Sequence, residues 1–99
     1  RRGVMVMDRI LEEVRWERDR QDEKYGGPDH DDSHYPGDWC LILSKYLGRA
    51  SAETIDAKPD AAFRDNMIKI AAVAIAATQS LDRIQAVTVN QQDGAHDVG

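Results

Sequence analysis

The sequence holds one cysteine, Cys40, and three prolines in 99 residues. A lone cysteine forms no internal disulfide and cannot supply a structural zinc site of the usual cysteine type. Aromatic residues make up only 6% of the chain. No apolar run approaches the ~20 residues that a bilayer-spanning helix needs. The first apolar stretch, Val4 to Met7, is too short for a signal peptide. There is no basic excess either. The formal net charge is −5, which excludes a broadly cationic nucleic-acid binder but leaves room for a local cationic patch. Neither DNA nor a membrane is an expected partner, and a cytoplasmic protein is the default expectation. Because the chain opens Arg1-Arg2-Gly3, Met5 or Met7 is expected near the natural start.

What is present fits one small soluble domain, with 41% apolar and 31% charged residues. A chain this short buries only about two-thirds of the surface its unfolded form exposes. The core is therefore thin, and a second copy of the chain would help.

Hydrophobic spacing predicts an all-α fold with three main helices in one domain over residues 1–84. The first spans about Asp8 to Lys24, with Asp8 as N-cap and Met7, Ile10, Leu11 and Val14 as its apolar stripe. That stripe continues as Glu17, Arg18, Gln21 and Asp22, so the inner face turns polar. Such a face either enters a site or projects into solvent. Gly26-Gly27-Pro28 ends the helix. Residues 25–38 read as a loop, and Asp38 as the N-cap of a second helix over Trp39 to about Ala52. Its apolar face is Trp39, Ile42, Leu43, Tyr46, Leu47 and Ala50.

Pro59 suits the first position of a third helix, expected over 59–84. Phe63, Met67, Ile70, Ala74, Ala77, Leu81 and Ile84 form a heptad seam on it. Between Met67 and Ala77 only Lys69 is not apolar, which implies burial on several sides. Two other helices cannot easily surround it, so a homo-oligomer is expected, with a monomeric three-helix bundle as the alternative. Residues 85–99 read as a polar, flexible tail without chemistry.

Three groups of residues could carry chemistry. The loop His30-Asp31-Asp32-Ser33-His34, with Asp38, has donors suited to a divalent transition metal. It reads equally as a loop touching a ligand, or as a structural loop held by Asx turns. Lys45 and Arg49, four apart, share one face of the second helix, and Lys69 is the lone charge in the apolar third. Lys69 must snorkel, meet a carboxylate of the first helix, or meet an anionic ligand. With Arg15, Arg18 and Lys24 these residues could form a phosphate pocket. Tyr25, Tyr35 and Trp39 cluster about the loop and could stack a base, although Trp39 reads equally as core. Trp16 lies off the apolar stripe. Cys40, within an apolar run, reads as inert core. Neither a phosphate loop nor a nucleophile elbow is present.

The stretch Arg15-Trp16-Glu17-Arg18-Asp19-Arg20-Gln21-Asp22-Glu23-Lys24-Tyr25-Gly26 resembles the N-terminal signature of small MazG-like proteins of phages and prophages. Lys69 to Ala76, followed by Ser80-Leu81-Asp82-Arg83, resembles their C-terminal helix, and His30, Asp38 and Trp39 are similar in order. The resemblance covers roughly Ile10 to Arg83. It implies a helical, oligomeric scaffold of the all-α nucleoside triphosphate pyrophosphohydrolases, which hold Mg²⁺ with acidic clusters on two helices. This chain departs from that pattern. It has Lys45, Tyr46 and Arg49 where the first cluster belongs, and Asn66 and Lys69 where the second belongs.

The resemblance and the departure together imply a nucleotide binder without catalysis. In a phage it could act as an anti-defence sponge for a nucleotide-derived immune signal. The expected ligand-binding set is Arg15, Arg18, Gln21, Lys24, Tyr25, His30, His34, Trp39, Lys45, Arg49, Asn66 and Lys69, with no catalytic residue, metal ligand or cofactor. One alternative is a Mg²⁺-dependent pyrophosphohydrolase using loop Asp and His residues with Glu17, Asp22 or Asp65. Another is a helical protein-interaction module.

Overall fold

A computed structural model describes residues 2–54 and 60–96, with side chains over 5–52 and 60–87. Four helices follow one another: α1 (Arg2–Tyr25), α2 (Pro28–Asp31), α3 (Pro36–Thr54) and α4 (Ala61–His96). The described residues form a small all-α helical bundle. α1 runs without glycine or proline from Val4 to Tyr25, and it begins before Asp8, which lies inside the helix rather than capping it. It ends because Gly26 and Gly27 take φ of +108° and +72°, a region that side chains with a Cβ disfavour.

The expected loop is more ordered than its composition implies. Pro28 opens the single-turn α2, where its missing N–H costs nothing. Pro36 then opens α3 three residues ahead of the expected start. Asp38 is not the N-cap. Its Oδ2 accepts the Tyr35 N–H at 2.8 Å, closing half of a capping box from inside the helix. At α4 the cap is Asp60, whose Oδ1 accepts the Phe63 N–H at 3.0 Å. Pro59 lies outside the described residues. Nothing breaks α4 after Ile84, and its backbone stays helical to His96 through the segment expected to be a tail.

α1 and α3 each pack on α4, and α2 closes over it, whereas α1 and α3 scarcely meet. The wedge between them becomes the site. α4 alone is roughly 54 Å long at 1.5 Å per residue, and the Cα radius of gyration is 17.3 Å. A compact chain of about 100 residues has roughly 13 Å. The apolar core is correspondingly small: Val14, Ala50, Ala72, Val73 and Ala76. The buried residues of α4 are Asn66, Ala72, Val73, Ala76 and Ser80, offset from the expected heptad seam. Of that seam, Leu81 and Ile84 are exposed. Small residues at 72 and 76 let the neighbouring helices approach closely, so they fill the stripe, while Phe63, Met67 and Ile70 of the seam are half-buried at its margin. Met7, Leu11 and Leu47 are also exposed, contrary to their reading as apolar faces. Cys40 is exposed rather than core.

Candidate functional site

The polar half of the α1 inner face does not project into solvent. Glu17 and Gln21 are buried and continue the line begun by Val14. Glu17 accepts from Arg20 Nη2 at 2.6 Å and from Gln21 Nε2 at 3.2 Å. A carboxylate only accepts, so the amide nitrogen of Gln21 must face it and the amide oxygen must face away.

α2 is pinned across the bundle. Ser80, only 1% exposed, donates from its hydroxyl to Asp32 Oδ1 at 2.7 Å. Arg83 donates to the same carboxylate, from Nε to Oδ2 at 3.1 Å and from Nη2 to Oδ1 at 2.7 Å. These donors hold the Asp32 carboxyl below its usual range: the Arg83 hydrogen bonds contribute most, and the Ser80 bond adds to them. His34 Nδ1 lies 3.0 Å from the His30 carbonyl and 3.2 Å from that of Asp31. Two carbonyls can only accept, so Nδ1 carries the proton and Nε2 remains as the ring's other polar atom.

The pinned turn closes a cavity of about 240 Å³ between α1 and α3, floored by Val73 and Ala76 of α4. Arg18, Gln21 and Tyr25 line one side, His30, Asp31 and His34 the end, and Trp39, Ile42, Lys45 and Tyr46 the other side. Four rings run along it. The Tyr25 and His30 centroids are 6.0 Å apart, His30 and His34 4.8 Å, and His34 and Trp39 4.7 Å. Trp39 is half-buried and belongs to the cavity wall rather than to a closed core.

The structure thus brings together Arg18, Gln21, Tyr25, His30, His34, Trp39 and Lys45 from the expected set. Lys24 lies beside this group, its ammonium 5.1 Å from the centre of the Tyr25 ring. Arg49 is exposed and packs at 5.8 Å on the Tyr46 ring. Three residues are placed elsewhere. Arg15 is exposed and outside the cavity lining. Asn66 is buried and donates to the Ala62 carbonyl at 3.1 Å within its own helix. Lys69 meets Asp65 at 2.9 Å, one turn back on α4, rather than a carboxylate of α1 or a shared phosphate pocket.

Arg18 is held by an ion pair and a hydrogen bond. Its guanidinium lies 3.1 Å from Asp22 Oδ1 and donates to Gln79 Oε1 at 3.2 Å. Asp31, which the expected set omitted, is the unusual member. It is 8% exposed, and its Oδ2 is buried without a hydrogen-bond donor. Arg18 Nη2 approaches that oxygen only to 3.7 Å, beyond hydrogen-bond reach. An unmet buried acceptor costs about 1–3 kcal/mol. A buried acid with an incomplete partner has no linear signature, because Asp is ordinary in turns and only the fold decides its burial.

Four of the carboxylates weighed as metal ligands are paired with cations: Glu17 with Arg20, Asp22 with Arg18, Asp32 with Arg83 and Asp65 with Lys69. Among the described residues, no three His, Cys, Asp or Glu side chains are grouped to hold a metal ion. No described helix is long and apolar enough to cross a membrane. No protein-family model matches the chain, and no curated protein or solved structure matches it either.

Proposed function

We propose that this chain binds a nucleotide or nucleotide-derived small molecule, base inward, in the α1–α3 cavity, and that it does so without hydrolysis. The observation that carries this reading is the ring-walled cavity with an apolar floor and an exposed lysine, Lys45, on its wall. Its volume is below the roughly 300–1,000 Å³ of pockets that enclose drug-sized ligands. That size suits a base, with the sugar and phosphates left towards Lys45 and solvent. Stacking on an aromatic contributes about 1–3 kcal/mol per base. Hydrolysis in the pyrophosphohydrolase manner needs several carboxylates free to hold Mg²⁺, and Glu17, Asp22 and Asp32 are each paired with an arginine. On this reading the scaffold is MazG-like, with the metal chemistry lost and the binding function kept. Sequestration of a nucleotide signal in a phage-infected cell is a use that needs binding alone.

We also propose that the chain works as a homo-oligomer. Its accessible surface is 7688 Å². A compact monomer of 11.1 kDa has about 5,700 Å². The excess, roughly 2,000 Å² per chain, is more than the ~800 Å² that each partner buries in a standard protein interface. The exposed Met7, Leu11, Leu81 and Ile84 supply apolar surface for it.

The test is to incubate the protein with nucleoside triphosphates and cyclic nucleotides, with Mg²⁺ or with EDTA. The retained protein is then heated, and both fractions are read by mass spectrometry. Intact ligand released from the protein in either buffer is the expected result. Monophosphate and pyrophosphate formed only with Mg²⁺ would instead establish the enzyme.

A further inference from the structure

The first half of α1 carries a stripe of exposed side chains. Met5, Arg9, Glu12 and Trp16 are spaced four, three and four, so they share one line along the helix. All four are exposed, Met5 at 63% and Trp16 at 75%. Arg9 and Glu12 make no side-chain hydrogen bond or ion pair among the described residues. Glu13 and Arg64 beside them are satisfied by each other. Arg9, Glu12 and Trp16 also line an open groove between α1 and α4, to which Val6, Ile10 and Ile68 give an apolar wall. None of the four stripe residues lines the α1–α3 cavity, so this is a separate surface.

The stripe is its own complement. From Met5 to Trp16 it runs apolar, positive, negative, apolar. An antiparallel copy runs apolar, negative, positive, apolar. Laid together, each charge meets its opposite and each apolar end meets an apolar end. A two-fold contact requires this property, because residue i then meets j while j meets i. The surface to be covered is also there. The chain's 7688 Å² exceeds the area of a compact monomer by more than the about 800 Å² per partner of one standard interface. Pairing at this stripe therefore leaves the apolar surface near Leu11 and Leu81 available for a further contact.

Resting on the homo-oligomer reading above, we propose that two copies of the chain pair antiparallel through α1, about a two-fold axis midway between Arg9 and Glu12. Arg9 of each protomer faces Glu12 of its partner, and Met5 faces Trp16. Trp16 gains a thioether contact and loses its exposure to water. Tryptophan and arginine are enriched among the residues that carry binding energy at such contacts. The charge pairs set direction and register, because like charges placed opposite each other are strongly unfavourable.

The experiment measures mass by light scattering for the wild type, Arg9→Glu, Glu12→Arg and an equimolar mixture of the two variants. Either variant alone sets like charges opposite each other twice, so its mass should fall to roughly half that of the wild type at the same concentration. In the mixture, a heterodimer restores both opposite-charge pairs, so the mass should return to the wild-type value. A monomeric wild type would remove both this proposal and the reading it rests on. An oligomeric wild type with unchanged mass in either variant would overturn the α1 pairing and leave the oligomer standing. Loss in both variants without recovery on mixing would overturn the antiparallel register. Circular dichroism checks that the variants stay helical. Should one of them unfold, Trp16→Glu takes its place: an unchanged mass overturns the pairing, and a halved mass upholds it.

Discussion

Where α2 folds over α4, a serine, an aspartate and an arginine lock the backbone, and the cavity forms beneath them. At the other end, the start of α1 lies along the start of α4. The polar tie there is an exposed pair, Arg64 with Glu13. Around it Met5, Val6, Met7 and Leu11 stay exposed, and Trp16 is 75% exposed. The first end spends polar contacts inside one chain to hold a turn in place. The second keeps apolar area unspent. A site needs the first kind of construction, because buried polar groups are costly unless their geometry is met. An interface can use the second, because hydrophobic burial is non-directional.

The sharpest way to break the contrast is to attack the lock. Ser80→Leu overpacks a fully buried position and removes the Ser80 bond to Asp32. Overpacking costs roughly 1–3 kcal/mol, which lowers the melting temperature of a domain this size by roughly 5–20 °C. Thermal circular dichroism should show that fall, and nucleotide binding should go with it. An unchanged melting temperature would mean that α2 is not held there. At the opposite end, Leu11→Glu should leave the helical signal of the chain intact and shift its light-scattering mass towards the monomer. Retention of the oligomer would place the interface elsewhere.

The smallest effect sharpens the comparison by pH. The Asp32 carboxyl is held below its ordinary value of 3.8, chiefly by the Arg83 hydrogen bonds. Folding is then favoured by this group above that value, and the gain is lost as pH falls below it. Asp32→Asn should accordingly lower the melting temperature at neutral pH, and the gap to wild type should close below about pH 4. Glu13 is shifted in the same direction by Arg64, but both side chains of that pair are more exposed than Arg83 and Asp32, so solvent screens it more. Glu13→Gln should therefore change melting very little at any pH. Equal losses in the two variants would show that the two ends are tied with similar strength.

Much of the site was legible because its residues lie close in the chain. Tyr25, His30, His34 and Trp39 follow one another around a turn marked by Gly26-Gly27-Pro28, so composition alone clusters the rings. The polar continuation of the α1 stripe through Arg18 and Gln21 was visible for the same reason. Lys69 and Asn66 lie outside the cavity lining for a different cause. Their helix face depends on which side of α4 its neighbours choose, and Asp65 one turn away met the charge of Lys69 without another helix. The anchoring roles of Ser80 and Arg83 were missed because a serine three residues before an arginine is unremarkable until the Asp32 carboxylate reaches both.

The sequence by itself determined the class of the fold, since helical spacing, glycine stops and capping aspartates act over a few residues and need no partner. It determined which residues surround the turn. Only the tertiary structure decided which stripe of α4 is buried, that Cys40 and Leu47 stay outside, and that Asp31 is buried with its Oδ2 lacking a hydrogen-bond donor. Those outcomes depend on how α1 and α3 divide the surface of α4. That division is set by side-chain volume across helices distant in sequence, about which local pattern carries no information.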